Sequence, residues 1–310
     1  MDSAKPAIPV VIIHKGDAFY LKHSAKVAKK FNPSSRIILL GSGINNKPKE
    51  AEYFDFSQYA TFSNKMTKAY KHYSTNAFEV ERFCFERWFM LYEFMQKENM
   101  EKCVYIDSDL LLFSNITEEA KRFEKFDFTL HNGTSAHCIF INSREGLKKF
   151  CDYVLEIFTD KEKFKYVEQN FSRFLEQKLP GGFCDMSAFK KYASENPSHV
   201  GEISEIHNST FFDGSIIQPE GFEMAFGLKK ITFKNGVPFG KLAKTGELIR
   251  MNCLHLQGPA KVYAGFFANA HSGKIVLTYG SVLRKARDFL GARLSKGQIK
   301  WVKRFLSKVM

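Results

Sequence analysis

The stretch KCVYIDSDLLLF, residues 102 to 113, decides how the rest of the chain is read. Val104, Tyr105 and Ile106 have the β-branched and aromatic character of a buried strand, and they give way abruptly to Asp107-Ser108-Asp109. A second apolar run, Leu110 to Phe113, follows at once, so two carboxylates stand at the end of a core element. Unpaired carboxylates there are costly to desolvate, and they must either hold a proton or share a cation. Two acids at i and i+2, with a small Ser108 between them, suit a hard divalent ion such as Mg²⁺ or Mn²⁺ that takes oxygen ligands. A strand that simply ends in a polar turn has the same appearance, so the motif acquires meaning only from the rest of the chain.

Upstream, Val10 to Ile13 is a short apolar run ending in His14-Lys15-Gly16-Asp17. A helix is expected from Ala18 to about Lys30, with Asp17 as N-cap and Asn32-Pro33 as its stop. Arg36 to Leu40 reads as the next strand, closed by Gly41-Ser42-Gly43, which is a turn because the third glycine of a phosphate loop is missing. Strand, helix and strand with short links open a βαβ unit, and with it a parallel sheet. Residues 44 to 75 show no sustained period and read as irregular structure around a short element at Phe54. Asn76 to Glu98 is a strong helix, with Val80, Phe83, Cys84, Trp88, Leu91, Tyr92 and Met95 on one broad face. Arg82 and Arg87 fall in or beside that face and need acidic partners, Glu79, Glu86 or a bound anion.

The strand that delivers Asp107 and Asp109 does so at its carboxyl end, the edge where open α/β sheets bind ligands. Beyond it, a short helix follows Thr117, Phe126 to Leu130 and Cys138 to Ile141 read as strands, and Ser143 caps a helix to about Phe158. Lys161 to Lys178 is a charged amphipathic outer helix, and Pro180-Gly181-Gly182 separates it from a helix that opens near Asp185. Asp185 is either a helix cap or a catalytic group. Residues 200 to 254 look like short strands and hairpins, ending in the apolar run Leu248 to Leu254 and then His255-Leu256-Gln257-Gly258-Pro259-Ala260-Lys261. Standing alone, His255 would be a packed core histidine. With Gly258 three residues on and Lys261 six, it reads as a ligand beside a close-approach backbone and a point charge.

These motifs together resemble those of the GT-A glycosyltransferases, most closely the family 8 type that uses nucleotide-diphospho-sugars. The resemblance rests on Asp107-x-Asp109, on Cys138 to Ser143, on Asp185-Met186 at a helix start, and on His255, Gly258 and Lys261 in the order H-x-x-G-x-x-K. It extends over roughly residues 10 to 265, and Val262-Tyr263 stands where that family has Pro-Trp. It implies an α/β fold of the GT-A, Rossmann-like kind, a mixed and mainly parallel central sheet flanked by helices, over residues 1–272. It also implies a metal-dependent transfer of a sugar from a UDP-sugar to a glycan or lipid-linked glycan hydroxyl. On that reading Asp107, Asp109 and His255 hold Mn²⁺ or Mg²⁺, and Lys261 and the backbone of Gly258 meet the diphosphate. Ile13, His14 and Ser108 meet the nucleotide, Arg87 meets sugar or phosphate, and Asp185 serves the acceptor or positions the sugar.

The charge balance adds a second theme. The chain of 310 residues is 44% hydrophobic and 25% charged, ordinary for a globular protein, but its net charge is +13. From Lys274 to Met310 ten Lys and Arg stand against Asp288 alone, a net of +9. Ile299, Val302, Phe305, Leu306 and Val309 space out as one face of a basic helix, so residues 273–310 read as a basic helical C-terminal segment. Residues 296–310 fit either an anionic membrane surface or a helix packed on the domain with a solvated basic face. Nucleic acid is not expected as a partner, because no known module interleaves the charge with exposed aromatics.

Met1 to Val10 looks like neither a signal peptide nor a span, and six scattered Cys without a C-x-x-C pair suit a reducing compartment. The expected location is therefore the cytoplasm, with any membrane association peripheral. The four N-x-S/T sequons, at Asn115, Asn132, Asn170 and Asn208, are then chance occurrences. Two other functions share the paired acids or the basic charge: a nucleotidyltransferase acting on sugar phosphates, and a non-catalytic membrane or nucleic-acid binder on a degenerate GT-A fold. Against the first, His14-Lys15-Gly16-Asp17 makes a poor phosphate loop.

Overall fold

The first apolar run becomes strand β1 (Val10–Lys15), and its alternation defines the two sides of the molecule. Val11 and Ile13 enter one buried cluster and Val10 and Ile12 another, because successive side chains of a strand point to opposite faces. The structure is a computed structural model that describes residues 7–271, 273 and 274. The amphipathic pattern at 299–309 lies outside these residues.

Helix α1 (Leu21–Phe31) and strands β2 (Ile37–Ser42) and β3 (Glu52–Asp55) follow β1. Helices α2 (Ser63–Ala69) and α3 (Phe78–Lys97) then lead into β4 (Cys103–Ile106) and β5 (Leu110–Leu112). Next come the short helix α4 (Ile116–Glu119), strands β6 (Phe128–Leu130) and β7 (Cys138–Ile141), and helices α5 (Arg144–Thr159), α6 (Lys161–Glu176) and α7 (Asp185–Glu195). The remainder is mostly strand. It runs through β8 (Val200–Glu202), β9 (Thr210–Phe212), β10 (Met224–Ala225), β11 (Leu228–Lys229), β12 (Ile231–Lys234), β13 (Val237–Lys241) and β14 (Leu248–His255). A 3₁₀ turn (Gly258–Tyr263), helix α8 (Ala264–Asn269) and β15 (Gly273–Lys274) complete the described chain.

Seven strands make the central sheet, in the order β3-β2-β1-β4-β7-β6-β8. Strands β3, β2, β1 and β4 are parallel, β7 runs antiparallel to both β4 and β6, and β8 is parallel to β6. The sheet is thus mixed and mostly parallel, flanked by helices, as the expected α/β class requires. On one face Trp88, Phe89 and Leu91 of α3, Phe150 and Val154 of α5 and Phe189 of α7 bury against Val11, Tyr105 and Ile139. On the other, Leu21, Ala25 and Ala28 of α1 and Ile116 of α4 cover Ile12, Val104 and Phe140. Each fully buried aromatic or aliphatic side chain of this kind contributes about 1.5–3 kcal/mol.

A second sheet was not expected from the sequence. Strands β15, β12, β13, β14 and β5 pair in that order, and β9 pairs with β14. The apolar residues on the two sides of Asp107-Ser108-Asp109 therefore belong to different sheets: β4 lies in the first, and β5 is antiparallel to β14 in the second. Strand register sets Leu110 opposite His255, which brings the D-x-D turn to the end of β14.

Local differences have local causes. Helix α1 starts at Leu21 and not at Ala18, with Tyr20 and not Asp17 at its N-cap position, and the Asp17 carboxylate accepts from the N–H and Nδ2 of Asn45. Residues 44 to 75 are more regular than their sequence suggests, with β3 adding a parallel edge strand and α2 packing on α3. In α3, Val80 is 58% exposed although the helical period assigns it to the buried face, and the whole run Phe78 to Val80 at the start of the helix is exposed. Ser143 caps α5 as expected, its Oγ accepting from the Gly146 N–H. All six cysteines are free. Among the described residues no helix is long and apolar enough to cross a membrane.

Candidate active site

The D-x-D turn is fastened on three sides by backbone hydrogen bonds. Leu110 N–H donates to the Asp107 carbonyl, Asp107 N–H donates to the His137 carbonyl, and Leu256 N–H donates to the Asp109 carbonyl. Both sheets thereby hold the turn rigidly at their junction. One ligand atom each from Asp107, Asp109 and His255 falls within 4.8 Å of the other two. His255 Nε2 lies 3.5 Å from Asp109 Oδ1 and 3.8 Å from Asp107 Oδ2, while Lys261 Nζ lies 2.9 Å from Asp109 Oδ2.

The donor atoms fit a divalent cation. His255 Nδ1 lies 2.7 Å from the Gly214 carbonyl, which can only accept, so Nδ1 carries the hydrogen. Nε2 then presents a lone pair to two carboxylates, an arrangement that needs a proton or a cation between the groups. Burial alone would lower the His255 pKa, but Asp109 and Asp107 raise it above the ordinary histidine value. Burial would likewise push the Asp109 carboxyl up, yet His255 and Lys261 hold it below the usual carboxylate range. Two carboxylates and one imidazole are the mixed oxygen and nitrogen set that first-row divalent ions such as Mn²⁺ accept.

Arg87 is the second organising residue. Its Nη1 donates to Asp107 Oδ1 at 3.0 Å and to the Tyr105 hydroxyl at 2.8 Å, and its Nη2 donates to Asp185 Oδ2 at 2.8 Å. Tyr105 Oη also donates to Asp107 Oδ1, at 2.6 Å. One Asp107 oxygen is thus held by protein, and the other faces His255. The expected partners Glu79 and Glu86 belong instead to Arg82; Arg87 points across to the sheet edge. Asp185 is only 3% exposed: its Oδ2 also takes Trp88 Nε1–H at 3.0 Å and its Oδ1 takes the Met186 N–H at 2.9 Å.

The remaining expected residues line the same edge in different ways. Ile13 is packed in the core and its backbone is paired with β2. His14, near the carboxyl end of β1, has its pKa lowered mainly by burial, with Asp109 acting in the opposite sense. Ser108 lies beside Tyr20, whose ring also lies 5.6 Å from Lys261 Nζ. Gly258 takes a φ of +56° with open space around it, a conformation that favours glycine and leaves the backbone accessible.

Several participants were not singled out from the sequence. From the sequence, Trp88 reads as part of a buried helix face and Tyr105 as part of a buried strand, and neither Tyr20 nor His137 stands in a motif. His137 stacks on His255 with ring centroids 4.5 Å apart and planes within 4°. The position of Tyr105, two residues before Asp107 on the same strand face, was the one available signal.

No family model matches the chain, and no curated protein matches its sequence. Similar solved structures do exist. Several of them are glycosyltransferases by name. Mouse xyloside xylosyltransferase 1 in its apo form is 11% identical, with a TM-score of 0.44 over 66% of this chain and 88% of that one. GlyE from Streptococcus pneumoniae TIGR4 is 12% identical, with a TM-score of 0.33 over 65% of this chain and 46% of that one. An active-site mutant of LgtC is 15% identical, with a TM-score of 0.34 over 64% of this chain and 75% of that one.

Proposed function

We propose that this chain is a metal-dependent glycosyltransferase that moves a sugar from a nucleotide-diphospho-sugar, a UDP-sugar in the first instance, to a hydroxyl of a glycan or lipid-linked glycan. The observation that carries the reading is the meeting of Asp107, Asp109 and His255 beside Lys261 at the carboxyl edge of β4. Three anionic or lone-pair donors and one cation, Lys261, held on Asp109 at such an edge match the charge pattern of a diphosphate bound through a divalent ion.

In the reaction the bond between the sugar and the β-phosphate oxygen breaks, the acceptor oxygen bonds to the sugar, and the acceptor proton passes to the leaving diphosphate. Negative charge grows on the leaving diphosphate. A bound Mn²⁺ or Mg²⁺ supplies Lewis-acid stabilisation of that charge. Lys261 turns from Asp109 to the phosphate and adds a point charge, and the Gly258 N–H approaches it without a Cβ in the way. Ser108, His14 and the Ile13 backbone border the nucleotide. Arg87 faces the sugar, and Asp185, with both oxygens engaged, fixes the guanidinium in place and keeps the sugar oriented.

Thermal melts with UDP and Mn²⁺ test this reading. A donor site raises the melting temperature by mass action, by about 2.7 kcal/mol of stabilisation at a hundredfold excess over Kd. Asp109→Ala is expected to remove both that stabilisation and donor hydrolysis; a variant that keeps metal-dependent UDP binding takes Asp109 out of the site.

The basic segment 273–310 extends the proposal to a peripheral position on a cytoplasmic membrane face, where a lipid-linked acceptor would lie. Deleting residues 296–310 is expected to spare hydrolysis of the donor and to lower binding to anionic liposomes. Unchanged liposome binding refutes that part alone.

A further inference from the structure

Behind His255 lies a buried ionic group that the proposed reaction does not use. Immediately after β9, Asp213 and Gly214 pass beneath the end of β14. Asp213 is fully buried, and its Oδ2 accepts the backbone N–H of His255 at 2.9 Å. The Gly214 carbonyl accepts His255 Nδ1–H at 2.7 Å. The Asp213 carbonyl accepts Nε2–H of His137 at 3.1 Å, and His137 stacks on His255. Asp213 Oδ1 takes the ammonium of Lys229 at 2.5 Å. Lys229 has no exposed side chain and donates as well to the Ser215 carbonyl at 2.8 Å and to Glu220 Oε2 at 2.5 Å.

A buried ion pair is a poor way to stabilise a fold, because the desolvation of two charges offsets most of their attraction. An apolar pair of similar volume would serve packing at least as well. What the charged pair supplies is direction. Two consecutive residues fix both the backbone and the ring of His255, and through His137 they fix the plane in which that ring lies. Gly214 has no space for a side chain either: a Cβ there would overlap the His131 ring and the Glu220 carboxylate, so the carbonyl that receives Nδ1–H is tightly held.

We propose that Asp213, charge-balanced by Lys229, is a positioning residue that locks the His255 imidazole as its Nδ1–H tautomer with Nε2 aimed at Asp107 and Asp109. The inference rests on the reading of those three residues as a cation site. Metal-bound imidazoles commonly depend on such an outer partner, and its loss typically costs 10–100-fold in metal affinity, an effect of about that size being expected here.

Two variants of the full chain test it. Asp213→Asn/Lys229→Met removes both charges together, so neither is left buried alone. Gly214→Ala keeps every charge but displaces the carbonyl that receives Nδ1–H. Imidazole ¹H–¹⁵N spectra of the metal-free protein, taken where the ring is neutral, report the tautomer; a Mn²⁺ titration followed by paramagnetic resonance reports affinity; a urea midpoint reports folding. The expected result is a single Nδ1–H tautomer of His255 in the wild type, mixed tautomers in both variants, and Mn²⁺ affinity lower by about 10–100-fold. Variants that lose stability yet keep the wild-type tautomer and Mn²⁺ affinity overturn the proposal, because the pair is then a structural tie alone. A wild type whose Mn²⁺ affinity is absent, or is indifferent to Asp109→Asn, refutes the cation site instead, and the tautomer spectra, which need no metal, still decide the role of Asp213.

Discussion

The ammonium of Lys261 lies 2.9 Å from Oδ2 of Asp109, so the cation assigned to the leaving phosphate rests on a carboxylate assigned to the metal. The pairing raises the Lys261 pKa against the effect of burial and helps to hold that of Asp109 down.

Replacing Lys261 by Met should therefore move two affinities in opposite directions. Mn²⁺ alone should bind as well as before or better, since Asp109 loses a competitor. UDP in the presence of Mn²⁺ should bind about tenfold or more weakly, a change on the order of 1.4 kcal/mol. Calorimetric titrations of both ligands check this, and a parallel loss of both affinities refutes the assigned roles.

Arg87 joins Asp107 to Asp185 through one guanidinium that is mostly buried. Arg87→Met leaves both carboxylates without their partner and should cost about 3 kcal/mol of stability, the usual scale for breaking a buried pair from one side. Arg87→Lys should recover part of the stability but little activity, because an ammonium cannot span both acids as the planar fork does. Denaturant midpoints and donor hydrolysis, measured on the two variants together, separate these effects.

Histidine burial makes stability depend on pH. His137 Nε2–H donates to the Asp213 carbonyl and its Nδ1 accepts from Ser135 Oγ, so the neutral ring is fully satisfied and burial lowers its pKa well below 6.5. His131 is lowered in the same sense, mainly by burial. Below about pH 6.5 the unfolded chain takes up protons that the folded chain refuses, so this contribution is full above that value and is lost as pH falls. His255, raised by Asp109, acts oppositely: its contribution is present at low pH and is lost as pH rises through its folded pKa. His137→Phe removes only the first kind, and its urea midpoint should change less than that of the wild type between about pH 7.5 and about pH 5.5. An unchanged difference shows that His137 titrates normally.

Phe150 and Phe189 stack with centroids 3.8 Å apart and planes within 6°, locking α5 to α7. Phe150→Ala should cost about 3–5 kcal/mol. Because α7 begins at Asp185, the same cavity should lower donor hydrolysis more than Mn²⁺ affinity, whose ligands lie on other elements. Equal losses in hydrolysis and Mn²⁺ affinity point to a general loosening of the fold.

Read along the chain, periodicity and polar punctuation were enough to place β1, β2, β4, β7, α3 and α5, and the abrupt change from Ile106 to Asp107 marked the functional edge. These features are local: side-chain alternation and a cap such as Ser143 act within a few residues. Chain order also singled out Asp107, Asp109, His255 and Lys261 one motif at a time. It could not bring them together, because their meeting depends on β5 pairing with β14 in a second sheet, and a pairing between distant segments leaves no periodic trace in either strand. For the same reason the need of Arg87 for an anionic partner was legible but the partners were not, since it reaches Asp107 and Asp185 and neither Glu79 nor Glu86, and the Asp213–Lys229 pair behind His255 had no signal at all. Short-range preferences selected the elements; the register between strands far apart in the chain decided which charges share one site.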